Sequence, residues 1–241
     1  MSKPIILLQN ISKSFLIPSG KKNALDDVSL TIQEGECTVI AGENGSGKSV
    51  LMSIAAGLMN CDNGKIECGS HPGLVFQEAE TQILGETPAE DIAFGPKNLG
   101  WKKDEVEAVV KQALDETGLT EKADFPARFL SGGEKRRLAV ACMLAMKLPV
   151  IILDEPYANL DYSGVKQVNA LVKKLKAEGK TVIILTHELE KCLALTDHFV
   201  VLFRGKKVFD GTPEEGLKQN LEEWNIRNPL VSYKNAGDLV W

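Results

Sequence analysis

Eight consecutive residues, Gly42-Glu43-Asn44-Gly45-Ser46-Gly47-Lys48-Ser49, carry the spacing G-x-x-x-x-G-K-[ST]. Glycines in such a run let successive backbone N–H groups turn inward around a polyphosphate. The run follows the apolar stretch Cys37–Ala41 and precedes a helix predicted over 48–58, whose N-terminus adds positive potential at the same point. In that frame Lys48 reaches the β- and γ-phosphates, and the Ser49 hydroxyl ligates Mg²⁺. A second pair of groups, Asp154 and Glu155, closes the apolar run Val150–Leu153. Acids at the C-terminal end of a buried strand stand where ligands bind in open α/β sheets. Successive strand side chains point opposite ways, so the two carboxylates are expected to differ in role. Asp154 would hold Mg²⁺ directly or through water, and Glu155 would orient or deprotonate an attacking water.

A third element is Leu130-Ser131-Gly132-Gly133-Glu134, at the start of a helix predicted over 132–146. Ser131 reads as an N-cap, and Glu134 three residues later completes a capping box. The same end offers free N–H groups, a hydroxyl and a positive helix terminus, which an anion site also needs. Two phosphate-reading elements in one chain need an explanation, and dimerisation is one.

These groups require a scaffold of alternating strands and helices. Strands are predicted over 5–9, 28–33, 37–41, 73–77, 150–153 and 181–185, and helices over 48–58, 102–117, 132–146, 163–178 and 188–195. Residues 198–203 and 206–209 read as a hairpin around Arg204-Gly205. The alternation implies parallel βαβ units, and the stretch from about Glu78 to Met146, poor in β-branched runs, reads as a helical insertion. From about Leu221 onward periodicity is weak.

Composition sets bounds. Hydrophobic residues make up 44% and charged residues 25%, close to the globular average, which excludes global disorder. The net charge of −5 argues against a nucleic-acid partner, since binding a phosphate backbone draws on a basic surplus. No stretch approaches the ~20 apolar residues of a membrane helix. Met1-Ser2-Lys3-Pro4 has no signal-peptide layout, so an intracellular chain is expected. The five cysteines are scattered and form no C-x-x-C pair, so reduced thiols are the expectation.

Over residues 5–215 the chain resembles the ATPase subunits of ATP-binding-cassette (ABC) transporters. Residues 42–49 look like the family's Walker A element, Val150–Glu155 like Walker B, and Leu130–Glu134 like its signature. The resemblance implies a RecA-like P-loop core with a mostly parallel sheet, an antiparallel β subdomain and an inserted helical subdomain. It implies one ATPase domain over 1–220, with core 1–77 and 147–220, helical subdomain 78–146, and a C-terminal tail over 221–241. It also implies ATP and Mg²⁺ as ligands. Two ATP molecules would lie between head-to-tail chains, each between one chain's Walker A and the other's signature. The adenine-stacking aromatic falls on Phe15, and the glutamine that senses metal and γ-phosphate on Gln77. The D-loop falls on Ala158-Asn159-Leu160-Asp161 and the switch histidine on His187. Departures are Val50 for Thr, Glu134 for Gln, Asn159 for Ala or Gly, and a short interval between Lys48 and Gln77, where a strand or turn of the antiparallel subdomain is expected to be trimmed.

Glu78-Ala79-Glu80-Thr81-Gln82 and Glu90 to Gly100 are similar to the ATPases of energy-coupling-factor (ECF) importers, the cobalt, nickel and vitamin uptake group, as are Glu134 and Lys135-Arg136-Arg137. This likeness implies a subunit at the cytoplasmic face of the cell membrane. It would dimerise with a second copy or a related ABC ATPase. Its partners would be an integral membrane scaffold subunit, docked along 78–100, and a substrate-binding membrane subunit. The alternatives are another class of ABC transporter or a soluble non-transport ABC ATPase. Against the latter, the chain has no heptad run for a coiled coil and only one cassette.

Overall fold

The computed structural model describes residues 3–18, 20–231 and 235. The chain opens with a long hairpin, β1 (Pro4–Ile17) and β2 (Gly20–Gln33). Ile6 and Leu8 of β1 share a buried face with Val28, Leu30 and Ile32 of β2, as strand alternation requires. A register shift between Leu8 and Ile11 keeps Ile11 on that face despite its odd spacing. The fully buried β3 (Cys37–Ala41) runs into the glycine-rich loop and then α1 (Lys48–Ala55). This helix stops short of the predicted 48–58 because Gly57, at φ +73°, turns the chain away.

The interval in which a strand or turn is expected to be trimmed contains β4 (Asn63–Cys68), which pairs with β1 to complete a three-stranded sheet ordered β2-β1-β4. Its residues are largely exposed, so no apolar alternation announced it. After β5 (Gly73–Val75) comes a helix absent from the sequence reading, α2 (Pro88–Asn98). The Thr87 side chain accepts from Glu90 N, and Pro88 occupies the first turn. Pro96 inside this short helix breaks its helical signature. The helices α3 (Lys103–Thr117) and α4 (Gly132–Ala145) follow where expected. Strand β6 (Val150–Asp154), α5 (Tyr162–Ala177) and β7 (Thr181–Thr186) then alternate. In place of the helix predicted over 188–195 stand two short 3-10 turns, Leu189–Lys191 and Leu193–Leu195. They are separated at Cys192, whose φ of −138° is incompatible with a continuous helix. The hairpin of β8 (His198–Phe203) and β9 (Lys206–Gly211) forms around Arg204-Gly205 as predicted, followed by α6 (Pro213–Gly216).

The main sheet is ordered β5-β6-β7-β3-β8-β9, and every neighbouring pair is parallel except β8–β9. This is a RecA-like arrangement. Side chains of β3 alternate between two cores: Val39 and Ala41 face the layer of α5, while Ile40 faces α1 and the antiparallel sheet. A third apolar cluster, including Ile92, Val109, Leu114 and Leu138, is built by α2, α3 and α4. Near the C-terminus, Leu221 and Ile226 are buried in the first core. Residues 232–234 and 236–241 of the expected tail lie outside the described residues.

Candidate active site

Neighbouring parallel strands β3 and β7, with β6 beyond β7, deliver the catalytic candidates to one end of the sheet. The loop after β3 is tightly packed. A Cβ on Gly42 would lie 2.3 Å from the Leu202 carbonyl oxygen. Gly47 combines φ +107° with an approach that would put a Cβ 2.6 Å from the Ala24 oxygen, so neither position admits a side chain. Glu43 O accepts from Ser46 N at 3.1 Å and so closes the turn. Lys48 starts α1 and is 5% exposed; its ammonium donates to Gly42 O at 2.6 Å and to Glu43 O at 3.1 Å.

Both Walker-B-like acids reach this loop. Asp154, the last residue of β6, ends that strand near the Ser49 hydroxyl, which favours its ionised form. Glu155 Oε1 lies 3.6 Å from Lys48 Nζ and 3.1 Å from His187 Nδ1. Strand alternation had assigned the two carboxylates to opposite faces. It does not govern them, because β6 ends at Asp154 and Glu155 turns out at φ +44°. Their roles still differ, because their partners do. A non-glycine residue in the left-handed region carries strain of about 1–3 kcal/mol, and such strain collects at functional positions. The turn is fixed by Glu155 N donating to Leu185 O at 2.9 Å.

Burial shapes the electrostatics. It pulls the Lys48 ammonium below its usual pKa, with Glu155 and Asp154 opposing. Burial also raises Asp154, aided by Glu155 and opposed by the Ser49 hydroxyl and Lys48. Three buried oxygens, Ser46 Oγ, Asp154 Oδ1 and Glu155 Oε2, have no hydrogen-bond partner in the protein. Orphaned hard oxygens beside a buried ammonium suit a hydrated divalent cation and a polyphosphate.

The remaining candidates sit around this centre. Phe15 is 38% exposed on β1, and Lys13 Nζ stands 5.7 Å from its ring centroid. Asp62 fixes that stretch: it accepts from Ser14 Oγ, Lys13 Nζ and Ser14 N, and these bonds hold its carboxyl at about 2. Gln77 lies exposed just beyond β5, and its carbonyl accepts from Arg136 Nη2 at 3.3 Å. Gln77, Gly132, Arg136 and Asn159 line one cleft of about 190 Å³, which the phosphate-loop residues do not enter. Asn159 has φ +58°, a conformation that asparagine tolerates better than most residues. The predicted capping box forms at α4: Ser131 Oγ accepts from Glu134 N, and Glu134 Oε2 accepts from Ser131 N. Glu134 also pairs with Lys122 at 2.7 Å, the main cause of its lowered pKa. No atom outside the local helix would crowd a Cβ on Gly132, so this helix end is open to approach.

Sequence reasoning passed over a buried relay. Tyr157, fully buried, donates its hydroxyl to Asn169 Oδ1 at 2.8 Å, and Asn169 Nδ2 donates to Lys191 O at 2.7 Å. The relay ties the segment after Glu155 to the segment after His187. A buried tyrosine needs a hydrogen-bond partner, but the sequence does not say which residue supplies it.

A mostly parallel sheet with a lysine-bearing phosphate loop, two acids and a histidine at one end defines a P-loop ATPase. The chain belongs to the ABC transporter family, whose pattern it matches over residues 25–158, and is an ATP-binding, ATP-hydrolysing member of it. It is 41% identical to the energy-coupling factor transporter ATP-binding protein EcfA2 of Thermotoga maritima, over 83% of this chain and 79% of that one. The solved structure of CbiO1 from Clostridium perfringens, described as part of the ABC transporter complex CbiONQ, superposes with a TM-score of 0.80 at 30% identity. It covers 94% of this chain and 96% of that one. The cassette MJ0796, solved as a post-hydrolysis dimer bound to ADP and phosphate, gives a TM-score of 0.78 at 26% identity over 86% of this chain and 98% of that one. The family match includes the phosphate loop and both acids but neither Phe15 nor His187.

Proposed function

We propose that the chain is the energy-coupling ATPase of an ECF-type importer of a metal ion or vitamin, peripheral at the cytoplasmic face of the membrane. No helix among the described residues is long and apolar enough to cross a bilayer, so transport needs membrane partners. Residues 42–49 hold the ATP phosphates, and Phe15 stacks on the adenine. Mg²⁺, where bound, neutralises phosphate charge; Ser49 and Asp154 would hold it, with Gln77 closing on it. Glu155 takes the proton of the attacking water, and His187, in contact with Glu155, steadies the γ-phosphate. Ser131, Gly132, Gly133 and Glu134 face the nucleotide of a partner chain, a second copy or a related ATPase. The unit 1–220 divides into the core 1–77 and 147–220 and the helical subdomain 78–146.

The observation that carries the importer reading is a groove of about 600 Å³ lined by Ile83, Thr87, Pro126 and Arg128, which shares the Glu80–Lys135 ion pair with the cleft that Gln77 lines. Gln82 anchors its near wall: its side chain accepts from Phe76 N and donates to Leu74 O at the end of β5. A helix of a scaffold subunit seated here would push on Gln77 and on the Arg136 contact to it. Asp91 lies within the expected docking stretch but is buried, and its Oδ1 accepts from Leu84 N and Gly85 N at 2.7 and 2.8 Å. It holds the groove wall rather than meeting a partner. Detergent pull-down with identification of co-purifying membrane proteins is the test. Arg128→Glu is expected to release the membrane subunit while basal hydrolysis persists. Full co-purification of Arg128→Glu would place docking elsewhere.

A further inference from the structure

The C-terminal segment reaches back to the phosphate loop. Asn225 Nδ2 donates to Glu43 Oε2 at 2.8 Å, across 182 residues of sequence. Asn225 is held by rigid neighbours. It follows a 3-10 turn, Leu221–Trp224, at φ 56° and ψ 34°, a left-handed conformation that asparagine adopts readily. Leu221 and Ile226, on either side, are each 1% exposed, and Ile226 N donates to Leu221 O. Trp224 packs near Phe209, with ring centroids 6.5 Å apart. The amide is therefore presented by a docked segment, not a loose end.

Glu43 is the one acid in a loop whose function is to attract an anion. A free carboxylate there repels the polyphosphate and can itself turn toward the loop's backbone N–H groups. Its own carbonyl already serves Ser46 N and Lys48 Nζ, so the residue's backbone is fixed while its side chain needs a holder.

We propose that Asn225 is a positioning residue for nucleotide binding: its side-chain amide pins the Glu43 carboxylate to the docked C-terminal segment and keeps it out of the phosphate cradle. This rests on residues 42–49 being the phosphate loop. ATP affinity thereby depends on the docking of residues 221–226, far outside the loop in sequence.

Asn225→Asp is the discriminating variant, because aspartate keeps the shape and tolerates the left-handed backbone but sets two carboxylates face to face. For the full chain we expect its KM for ATP to rise about tenfold while kcat stays within about twofold, the effect of losing a hydrogen bond to a charged group. In a Glu43→Gln background the same substitution is expected to change KM by less than about twofold, because the glutamine amide can donate to the introduced aspartate and no like charge remains to repel it. A KM within twofold of the native chain for Asn225→Asp overturns the proposal. So does an equal rise in both backgrounds, which would trace the effect to something other than this contact. Calorimetric titration with ATP must follow the KM values. Lys48→Ala keeps the two readings apart: unaltered ATP binding and hydrolysis in that variant would remove the phosphate-loop reading itself, whatever Asn225 does.

Discussion

Glu155 Oε1 and His187 Nδ1 lie 3.1 Å apart although 32 residues separate them in the chain. Pairing between β6 and β7 brings the two strand ends side by side, with Asp154 opposite Leu185. The left-handed turn at Glu155 then swings its carboxylate toward the residue that follows β7. Glu155 is buried and His187 half exposed, so the contact joins an interior acid to a surface histidine.

Glu155→Gln keeps the shape of the side chain and removes its basicity. Turnover is expected to fall by about 10²–10⁴-fold, the range for a lost general base, with ATP binding retained. Single-turnover hydrolysis measures this directly, and a rate within tenfold of native would remove Glu155 from that role.

Lys48→Ala removes the buried ammonium from Gly42 O, Glu43 O and Glu155 together. ATP affinity is expected to fall by at least about tenfold, since a charge-assisted contact to phosphate is lost and Glu155 is left with His187 as its side-chain partner. Calorimetric titration with ATP is the check.

Tyr157→Phe deletes one hydroxyl in a buried, otherwise intact core. Asn169 Oδ1 loses its donor, at a cost of about 1–3 kcal/mol in stability. Because Asn169 also holds the Lys191 carbonyl, kcat is expected to drop several-fold with KM for ATP little changed. Thermal unfolding and steady-state kinetics together test both parts; an altered KM with normal kcat would contradict the relay's link to His187.

His198 bridges Glu36 and Asp210, joining the turn before β3 to β8 and β9. Burial alone would depress its pKa, but hydrogen bonds to Asp210 and Glu36 outweigh burial and hold it at about 9. The folded value lies above the unfolded one of about 6.5. The stabilisation from these contacts is therefore complete below about pH 6.5 and lost as pH rises through about 9. The thermal midpoint is expected to decline across that window, and His198→Gln should flatten the decline.

The phosphate loop and the acids were legible because their chemistry forces residue types into fixed spacing on a fully buried strand. The β6 run Val150–Leu153 needed no tertiary information. Strand β4 was hidden because its residues are exposed on both faces and show no apolar alternation, and α2 because Pro96 interrupts its pattern. The failed helix over 188–195 has apolar residues at helical spacing, yet Cys192, packed against the main core, takes a φ that no helix allows. Tertiary packing overrode local periodicity there. The Asp62 clamp beside Phe15 and the Tyr157 relay were unreadable for a different reason: each depends on which distant strands become neighbours.

The strands that bound the two sheets have a bearing on self-association. An exposed strand edge is a template on which other chains can add. The main sheet ends on one side at β5, only three residues long, and on the other at β9, which begins Lys206-Lys207 and carries Asp210. The smaller sheet ends on one side at β4, where Lys65 and Glu67 interrupt any apolar run, and on the other at β2, which carries Lys21, Lys22, Asp26 and Asp27. Neither sheet presents a long, flat, uncharged margin. Copies of this chain would therefore meet through side chains rather than by strand-to-strand growth into aggregates.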